Sequence, residues 1–256
     1  MSSVAPSRST ALPRFATGPA AATEARPPKS GERPARRRRA GTLPVVDAAL
    51  LHKLAIRAIN AGSGGLTEVG FASVVHGEGA TTIACGVAAC VAATLGQRVV
   101  LIEANLRSPA LRRVFALAPG PGLADVLGGG AALESALRAP TAGPPGDGRL
   151  LILPASQAHA DNPAILAGPA MRDLIAELHG YAEVLVFDTA PLQLYPDTTL
   201  LSRHLDGVVV VLEAERAKWD ASEQAVQALR DSGASVLGAV LNRQKSYIPR
   251  LLDRLL

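Results

Sequence analysis

The sequence has few aromatic residues, few cysteines and no long apolar run. Aromatic residues make up 3% of its 256 residues and hydrophobic residues 48%, which fits one α/β domain with some excess length and excludes a fibrous or mostly disordered chain. Cys85 and Cys90 are too few for a disulfide scaffold and do not face each other on a predicted helix. No segment reaches the roughly 18 apolar residues that span a bilayer, and the first residues lack a signal-peptide core. We therefore expect a soluble, cytoplasmic protein with reduced thiols.

Lysine is also scarce, and the positive charge is unevenly distributed. The four lysines are Lys29, Lys53, Lys218 and Lys245, so no ammonium group lies between positions 53 and 218. Residues 1–44 carry nine basic groups against two acidic ones, whereas the remaining residues carry 17 against 20, for a total of +4. The basic character therefore belongs to the first segment, and no nucleic-acid-binding surface is expected on the fold.

Residues 1–44 are predicted to form a disordered basic arm, ahead of a single domain over residues 45–256. The arm holds seven prolines and the run Arg36-Arg37-Arg38-Arg39. It has no hydrophobic periodicity, so it cannot bury enough apolar surface to offset the entropy of ordering. Two interpretations stay open: a solvated tail without function, or a segment attracted to anionic lipid by about 1 kcal/mol per basic residue.

The rest of the chain alternates between apolar strand-like runs and helical stretches. The predicted strands are 70–76, 97–104, 150–155, 183–190, 206–214 and 235–242. The predicted helices are 45–60, 81–95, 109–117, 123–137, 163–179, 196–203 and 218–232. Strands that are apolar throughout and separated by helices are typical of a parallel sheet covered on both faces. The sequence therefore predicts a three-layer, doubly wound, mostly parallel α/β domain, in which ligands bind beyond the carboxyl ends of the strands.

A glycine-rich loop follows the first predicted strand and leads directly into a helix. The loop reads His76-Gly77-Glu78-Gly79-Ala80-Thr81-Thr82. Its two glycines let backbone N–H groups turn toward a phosphate at the helix N-terminus. A standard phosphate-binding loop, GxxxxGK[ST], is matched only at Gly79 and Thr81, and a tight strand-to-helix connection is the alternative.

Acidic residues end two further predicted strands at the same edge of the sheet. Glu103 follows the second strand and Asp188 the fourth. A carboxylate in this place can hold magnesium and orient phosphate chemistry. The alternatives are a carboxylate favoured by a helix dipole for Glu103 and a loop-capping carboxylate for Asp188. Together with the glycine loop, the two acids favour a nucleotide-binding ancestry.

From Phe71 to Leu256 the sequence resembles the bacterial tyrosine kinases of capsule and exopolysaccharide synthesis, a branch of the deviant Walker-type P-loop ATPases that includes ParA and MinD. GEGATTIA resembles that family's GEGKST loop, VVLIEANLRSPAL its VLLIDADLRRPSL motif, and VLVFDTAP its Walker B strand ending in DTPP. The resemblance implies a P-loop NTPase-like fold and a site for ATP or ADP with Mg²⁺. Gly77, Glu78, Gly79, Ala80, Thr81, Thr82 and Asn242 would bind the nucleotide, and Thr81 and Asp188 the metal.

The sequence departs from the family at positions that carry chemistry. The loop lysine is Ala80, and the two aspartates of the second motif are Glu103 and Asn105. Asp188, Glu103 and Arg107 form the remaining, degenerate catalytic set. Asn242 matches the residue that contacts adenine in the family, and an ordinary strand-end turn is its alternative role.

The same resemblance implies partners. Such kinases work with a membrane polysaccharide co-polymerase or chain-length protein, whose cytoplasmic tail is the expected partner. In the N-terminal helix that joins the family's subunits into a ring, this chain has Leu51, Leu54 and Arg57. Its tyrosines are Tyr181, Tyr195 and Tyr247. These changes favour a regulatory adaptor, at the inner face of the membrane, with weak or lost catalysis, and they leave the oligomeric state open.

Two alternatives stay open for function. One is an active tyrosine autokinase or ATPase of the same pathway, with an arginine in place of the lysine. The other is a positioning ATPase of the MinD or ParA kind, which would touch a membrane through the arm or the C-terminal IPRLLDRLL segment. A terminal helix packed on its own domain is the simpler interpretation of that segment.

Overall fold

The structure is a computed structural model that describes residues 51–56, 67–140, 148–156 and 163–244. The predicted arm 1–44, Arg57, Tyr247 and the C-terminal segment lie outside the described residues. Within the described ranges, no helix combines the length and the apolar character needed to cross a membrane.

Six parallel strands form one sheet in the order β3-β2-β4-β1-β5-β6. The strands are β1 (Glu68–Ser73), β2 (Val99–Glu103), β3 (Leu150–Leu153), β4 (Val184–Asp188), β5 (Gly207–Glu213) and β6 (Val236–Asn242). Each of them falls within or overlaps one of the predicted runs. The predicted parallel α/β fold is therefore confirmed.

Helices connect the strands and cover the sheet. They are α1 (Ala80–Cys90), α2 (Leu111–Val114), α3 (Leu123–Leu127), α4 (Leu133–Ala136), α5 (Pro169–Leu178), α6 (Asp197–Leu201) and α7 (Trp219–Asp231). A π-helical turn, Val91–Leu95, extends α1, and 3₁₀ turns form at Pro163–Leu166 and Ser202–His204.

Alternate residues of the central strands face two separate hydrophobic clusters. Val99 and Leu101 of β2 pack in one cluster together with α1. Val100 and Ile102 pack in the other, together with α3 and α5. Since both faces of β2 are buried, its first four residues, 99–102, are all apolar rather than alternating with polar ones. The arrangement is the three-layer architecture that the sequence predicts.

Several predicted elements differ from the observed ones, among them one helix and the first strand. The helix expected over 123–137 is two short helices, because Gly128-Gly129-Gly130 interrupts it and Gly129 has φ +70°. The first strand was expected to reach residue 76 but ends at Ser73. The N–H groups of Val74 and Val75 bond to a side chain of the following loop instead of a neighbouring strand.

Residues 51–56 are helical, as expected for the helix predicted over 45–60. Leu51 and Leu54 are partly buried and pack against the cluster around α1. A Cβ added to Gly86 of α1 would lie 2.8 Å from a methyl group of Leu51, so this glycine allows a close helix contact. The two leucines thus serve packing within the chain.

Candidate functional site

The loops that follow β1, β2, β4 and β5 leave the sheet at its carboxyl edge. Asp188 at the end of β4 is in register with Glu103 of β2 on one side and with Phe71 of β1 on the other. The backbone ties the loops together, since Ala104 and Asn105 both donate N–H bonds to the carbonyl of Asp188, at 2.8 and 2.9 Å. The glycine loop, Glu103 and Asp188 therefore come together, as expected.

The glycine loop is open toward a ligand. Gly77 and Gly79 have φ +92° and +100°, a conformation that L-residues rarely adopt. Gly79 precedes α1, and no side chain caps that helix. The first amide of α1 with a backbone partner is that of Ile83, which donates to the carbonyl of Gly79 at 3.0 Å, so the N–H groups of residues 79–82 have no partner within the helix. Successive unpartnered amides at a helix N-terminus form a concave site that suits a phosphate.

The buried Glu78 side chain stabilises the start of the loop. It is 1% exposed, and Oε2 accepts the N–H bonds of Val74 and Val75 at 2.8 and 2.9 Å. Oε1 lies 3.4 Å from the backbone nitrogen of Glu213, at the end of β5. The carboxylate therefore fixes the base of the loop through the amides of Val74 and Val75 and does not occupy the amides of residues 79–82.

Asn242, at the end of β6, braces the same loop. Its Nδ2 donates to the carbonyl of Glu78 at 2.8 Å, and its Oδ1 accepts the N–H of Arg243 at 2.9 Å. A Cβ at Gly79 would lie 2.3 Å from Nδ2, so the contact requires glycine at that position. The structure thus places Asn242 against the loop, while its contact with adenine stays a prediction.

Thr81 and Asp188 form the pair expected to hold magnesium. Asp188 is 1% exposed, and the Thr81 hydroxyl hydrogen-bonds its side chain. Among the described residues, Oδ1 of Asp188 has no hydrogen-bond partner. Burial, together with the nearby Glu103 charge, raises the pKa of Asp188 to about 8, although the Thr81 bond lowers it. A buried oxygen without a partner beside a hydroxyl fits a hard cation such as Mg²⁺.

Glu103 is fully buried, and both of its carboxylate oxygens are occupied. Oε1 accepts the N–H bonds of Ala110 and Leu111, the latter at 2.7 Å, and Oε2 accepts that of Ala155 at 2.8 Å. Burial raises its pKa, and these three bonds oppose the rise. Glu103 therefore anchors the start of α2 and the loop after β3, and a catalytic role for it stays a prediction.

The remaining residues of the second motif are also engaged. Oδ1 of Asn105 accepts the N–H of Ser108 at 3.2 Å. Nε and Nη2 of Arg107 lie 3.1 and 3.4 Å from the two carboxylate oxygens of Asp197, which is 1% exposed. The Arg107 guanidinium also lies 4.9 Å from the centre of the Tyr195 ring. Arg107 thus stabilises the loop before α6, and Asp197 was not anticipated as its partner.

The position of the family lysine holds a buried alanine. Ala80 is 6% exposed and packs in the cluster that surrounds α1. Within the described residues the lysines are Lys53 and Lys218, and neither side chain forms an ion pair or hydrogen bond with the loop. The loop amides and the Thr81 and Asp188 pair are therefore present without the loop ammonium group.

Sequence reasoning missed a charged group at the carboxyl end of β5. Glu213 accepts ion pairs from Nη1 of Arg216 at 3.2 Å and from Nη1 of Arg243 at 3.0 Å. Nη1 of Arg216 lies 3.9 Å from where a Cβ on Gly77 would stand. The signal was present, because the predicted strand 206–214 ends with an acid, Glu213, and an arginine, Arg216, follows it closely.

Known proteins resemble this chain over about two thirds of its length. The tyrosine-protein kinase YwqD of Bacillus subtilis is 28% identical over 180 residues, which cover 70% of this chain and 73% of YwqD. The succinoglycan biosynthesis transport protein ExoP of Rhizobium meliloti is 31% identical over 179 residues, or 68% of this chain. The aligned part spans 22% of ExoP. No protein-family model matches the sequence.

Solved structures share the fold. The VpsO kinase domain superposes with a TM-score of 0.68 at 26% identity, covering 77% of this chain and 95% of that one. The septum site-determining protein MinD of Pyrococcus horikoshii, solved with Mg-ADP, gives a TM-score of 0.57 at 20% identity, covering 73% and 76%. The fold is therefore that of the P-loop NTPases.

Proposed function

Because the chain belongs to the bacterial tyrosine-kinase family of capsule and exopolysaccharide biosynthesis, we propose that it is a nucleotide-binding adaptor of that pathway with weak or lost phosphoryl transfer. One contrast carries the proposal. The amides of residues 79–82 at the start of α1 have no partner within the helix, whereas Ala80 occupies the lysine position of the loop. The first feature supports binding of a phosphate, and the second opposes its transfer.

Binding of Mg-ATP or Mg-ADP is supported by groups that need no lysine. The loop presents backbone N–H groups at the start of α1, where the helix dipole favours an anion. Thr81 and Asp188 supply oxygen ligands for Mg²⁺. The metal would neutralise part of the phosphate charge when bound.

Transfer of a phosphoryl group is opposed by three changes. Loss of a preorganised charge at the transition state costs several kcal/mol, a rate factor of about a thousand. Asn105 cannot act as a base, and its Oδ1 is bonded to Ser108. Both carboxylate oxygens of Glu103 accept hydrogen bonds from backbone N–H groups. The hydroxyl that would attack the phosphate therefore lacks an obvious base to take its proton.

An active autokinase or ATPase is the second candidate. It is favoured by the intact pair of Thr81 and Asp188 and by Arg216, which approaches the loop at Gly77. Of the described tyrosines, Tyr181 hydrogen-bonds Glu134 at 3.1 Å and Tyr195 lies under Arg107. Neither tyrosine side chain is free in this arrangement, which favours the adaptor over an autokinase.

The proposed partner is the cytoplasmic tail of a membrane polysaccharide co-polymerase or chain-length protein. ExoP, of which the aligned part spans 22%, is named a transport protein of succinoglycan biosynthesis, which supports a link to polysaccharide export. Contact of the arm 1–44 with anionic lipid is a further proposal. It is tested by sedimentation with anionic vesicles of the full chain and of a chain lacking residues 1–44, and equal sedimentation of the two would contradict it.

ATP turnover tests the adaptor directly. Phosphate release and tyrosine phosphorylation would be measured at saturating Mg-ATP for the wild type and for Asp188→Asn, which removes the metal-binding charge. Asp173→Asn is the matched control, because the Asp173 side chain is 77% exposed. We expect wild type and Asp188→Asn to be equally slow. Turnover by the wild type that Asp188→Asn abolishes would instead establish the second candidate.

A further inference from the structure

The loop has no lysine or arginine of its own and carries one acid, Glu78. Glu78 is 1% exposed, and Glu213 at the end of β5 lies beside it, with its backbone nitrogen 3.4 Å from Oε1 of Glu78. A nucleoside diphosphate or triphosphate adds further negative charge. Backbone amides and one metal ion leave part of that charge uncompensated, so a second cation would strengthen binding.

Among the described residues, Arg216 brings a cationic side chain close to the loop. Its Nη1 lies 3.9 Å from a Cβ placed on Gly77. The guanidinium therefore approaches the loop at a position where glycine has no side chain. Arg216 belongs to the turn after β5, where its N–H bonds to the carbonyl of Glu213 at 3.3 Å. The backbone therefore fixes where this side chain begins.

An ion pair with Glu213 keeps the Arg216 side chain near the loop. The Glu213 carboxylate is shared between Arg216 and Arg243, at 3.2 and 3.0 Å. Burial would raise the pKa of Glu213, but the two arginines lower it, so the group stays ionised. Two guanidinium groups share this one carboxylate, so Glu213 neutralises only part of their charge. The side chain of Arg216 is 61% exposed and has room to turn toward a ligand.

We propose that Arg216 takes the place of the missing loop lysine and binds the phosphates beyond the first of a nucleoside diphosphate or triphosphate. Glu213 keeps the guanidinium at the loop until the nucleotide arrives. The proposal rests on the proposed nucleotide binding. It predicts a preference for ADP over AMP that depends on this one side chain.

The test is calorimetric titration of the full chain with Mg-ADP and, separately, with AMP. The variants are Arg216→Gln, Arg216→Lys and, as the matched control, Arg243→Gln, which also removes a partner of Glu213. We expect Arg216→Gln to weaken Mg-ADP binding by about tenfold, as for loss of a charge-assisted hydrogen bond, and to leave AMP unchanged. Arg216→Lys restores part of the loss, and Arg243→Gln retains the preference for ADP.

A second readout uses the chain's single tryptophan. Trp219 is 78% exposed and lies three residues after Arg216. Its fluorescence should change when Mg-ADP binds the wild type, and not in Arg216→Gln. Urea unfolding of each variant shows that the binding data come from folded protein.

The outcomes separate this inference from the proposed function. If the wild type binds Mg-ADP and Arg216→Gln binds it equally well, the role of Arg216 is overturned and nucleotide binding stands. If Arg243→Gln weakens binding as much as Arg216→Gln, the cause is the uncovered Glu213 charge, and the role is again overturned. If the wild type binds no nucleotide, both the inference and the proposed binding fail.

Discussion

Replacing Asp188 by asparagine should make the protein more stable at alkaline pH. The Asp188 carboxyl is buried and its Oδ1 has no partner among the described residues, and burial raises its pKa from 3.8 to about 8. Because the folded-state pKa is raised, the folded protein holds this proton more tightly than the unfolded chain. The free energy of unfolding should therefore fall as pH rises from about 4 to about 8.

The raised pKa sets the size of the effect. Each pKa unit corresponds to about 1.4 kcal/mol, so the difference of about four units gives at most roughly 5 kcal/mol across this range. Asparagine keeps the shape and can still hydrogen-bond Thr81, but it carries no charge to bury. We expect Asp188→Asn to gain several kcal/mol relative to the wild type at pH 8.5, and little or nothing at pH 4.

Urea unfolding at a series of pH values measures this effect, and Asp173→Asn on the exposed face of α5 serves as the control. A second consequence can be measured at pH 7, where about nine in ten Asp188 carboxyls carry a proton if the pKa is about 8. Binding of Mg-ADP should release nearly one proton, detected by titration in buffers of different ionisation enthalpy. If Asp188→Asn and the wild type show the same pH slope, the carboxyl ionises normally and the reasoning is refuted.

Three further substitutions test the site. Glu103→Gln should lower the free energy of unfolding by about 2 kcal/mol, because an amide replaces an acceptor of three backbone N–H bonds; unchanged urea unfolding would contradict this. Gly79→Ala should abolish Mg-ADP binding in calorimetry, since its Cβ would lie 2.3 Å from Asn242, whereas Gly129→Ala, with open space around it, should bind normally. Arg107→Ala should lower the free energy of unfolding by about 3 kcal/mol, because Asp197 stays buried without this ion pair. Adding Asp197→Asn to the same chain should recover part of that loss, as measured by thermal unfolding.

The fold was predictable from sequence because both faces of the sheet are buried. Continuous apolar runs such as residues 99–102 of β2 mark the strands, and glycine marks the loop after β1. The break in the helix predicted over 123–137 was missed, although Gly128-Gly129-Gly130 signalled it.

The site was predictable only where its signal is local in sequence. Thr81 and Asp188 lie in recognisable motifs, and the fold brings them together. The bond from Glu103 to Ala155 joins residues 52 positions apart, so no local pattern indicates it. The approach of Arg216 to Gly77 likewise depends on β1 and β5 being neighbours in the sheet.

Titration of Mg-ADP into the wild-type chain, beside the Ala80→Lys variant, tests the central claim most directly. The loop amides with Thr81 and Asp188 should give saturable binding in the wild type, and the added ammonium group should tighten it. A wild type that gives no binding heat at millimolar Mg-ADP, beside an Ala80→Lys variant that binds, would contradict the account. In that case the fold would have kept its pocket and lost its ligand.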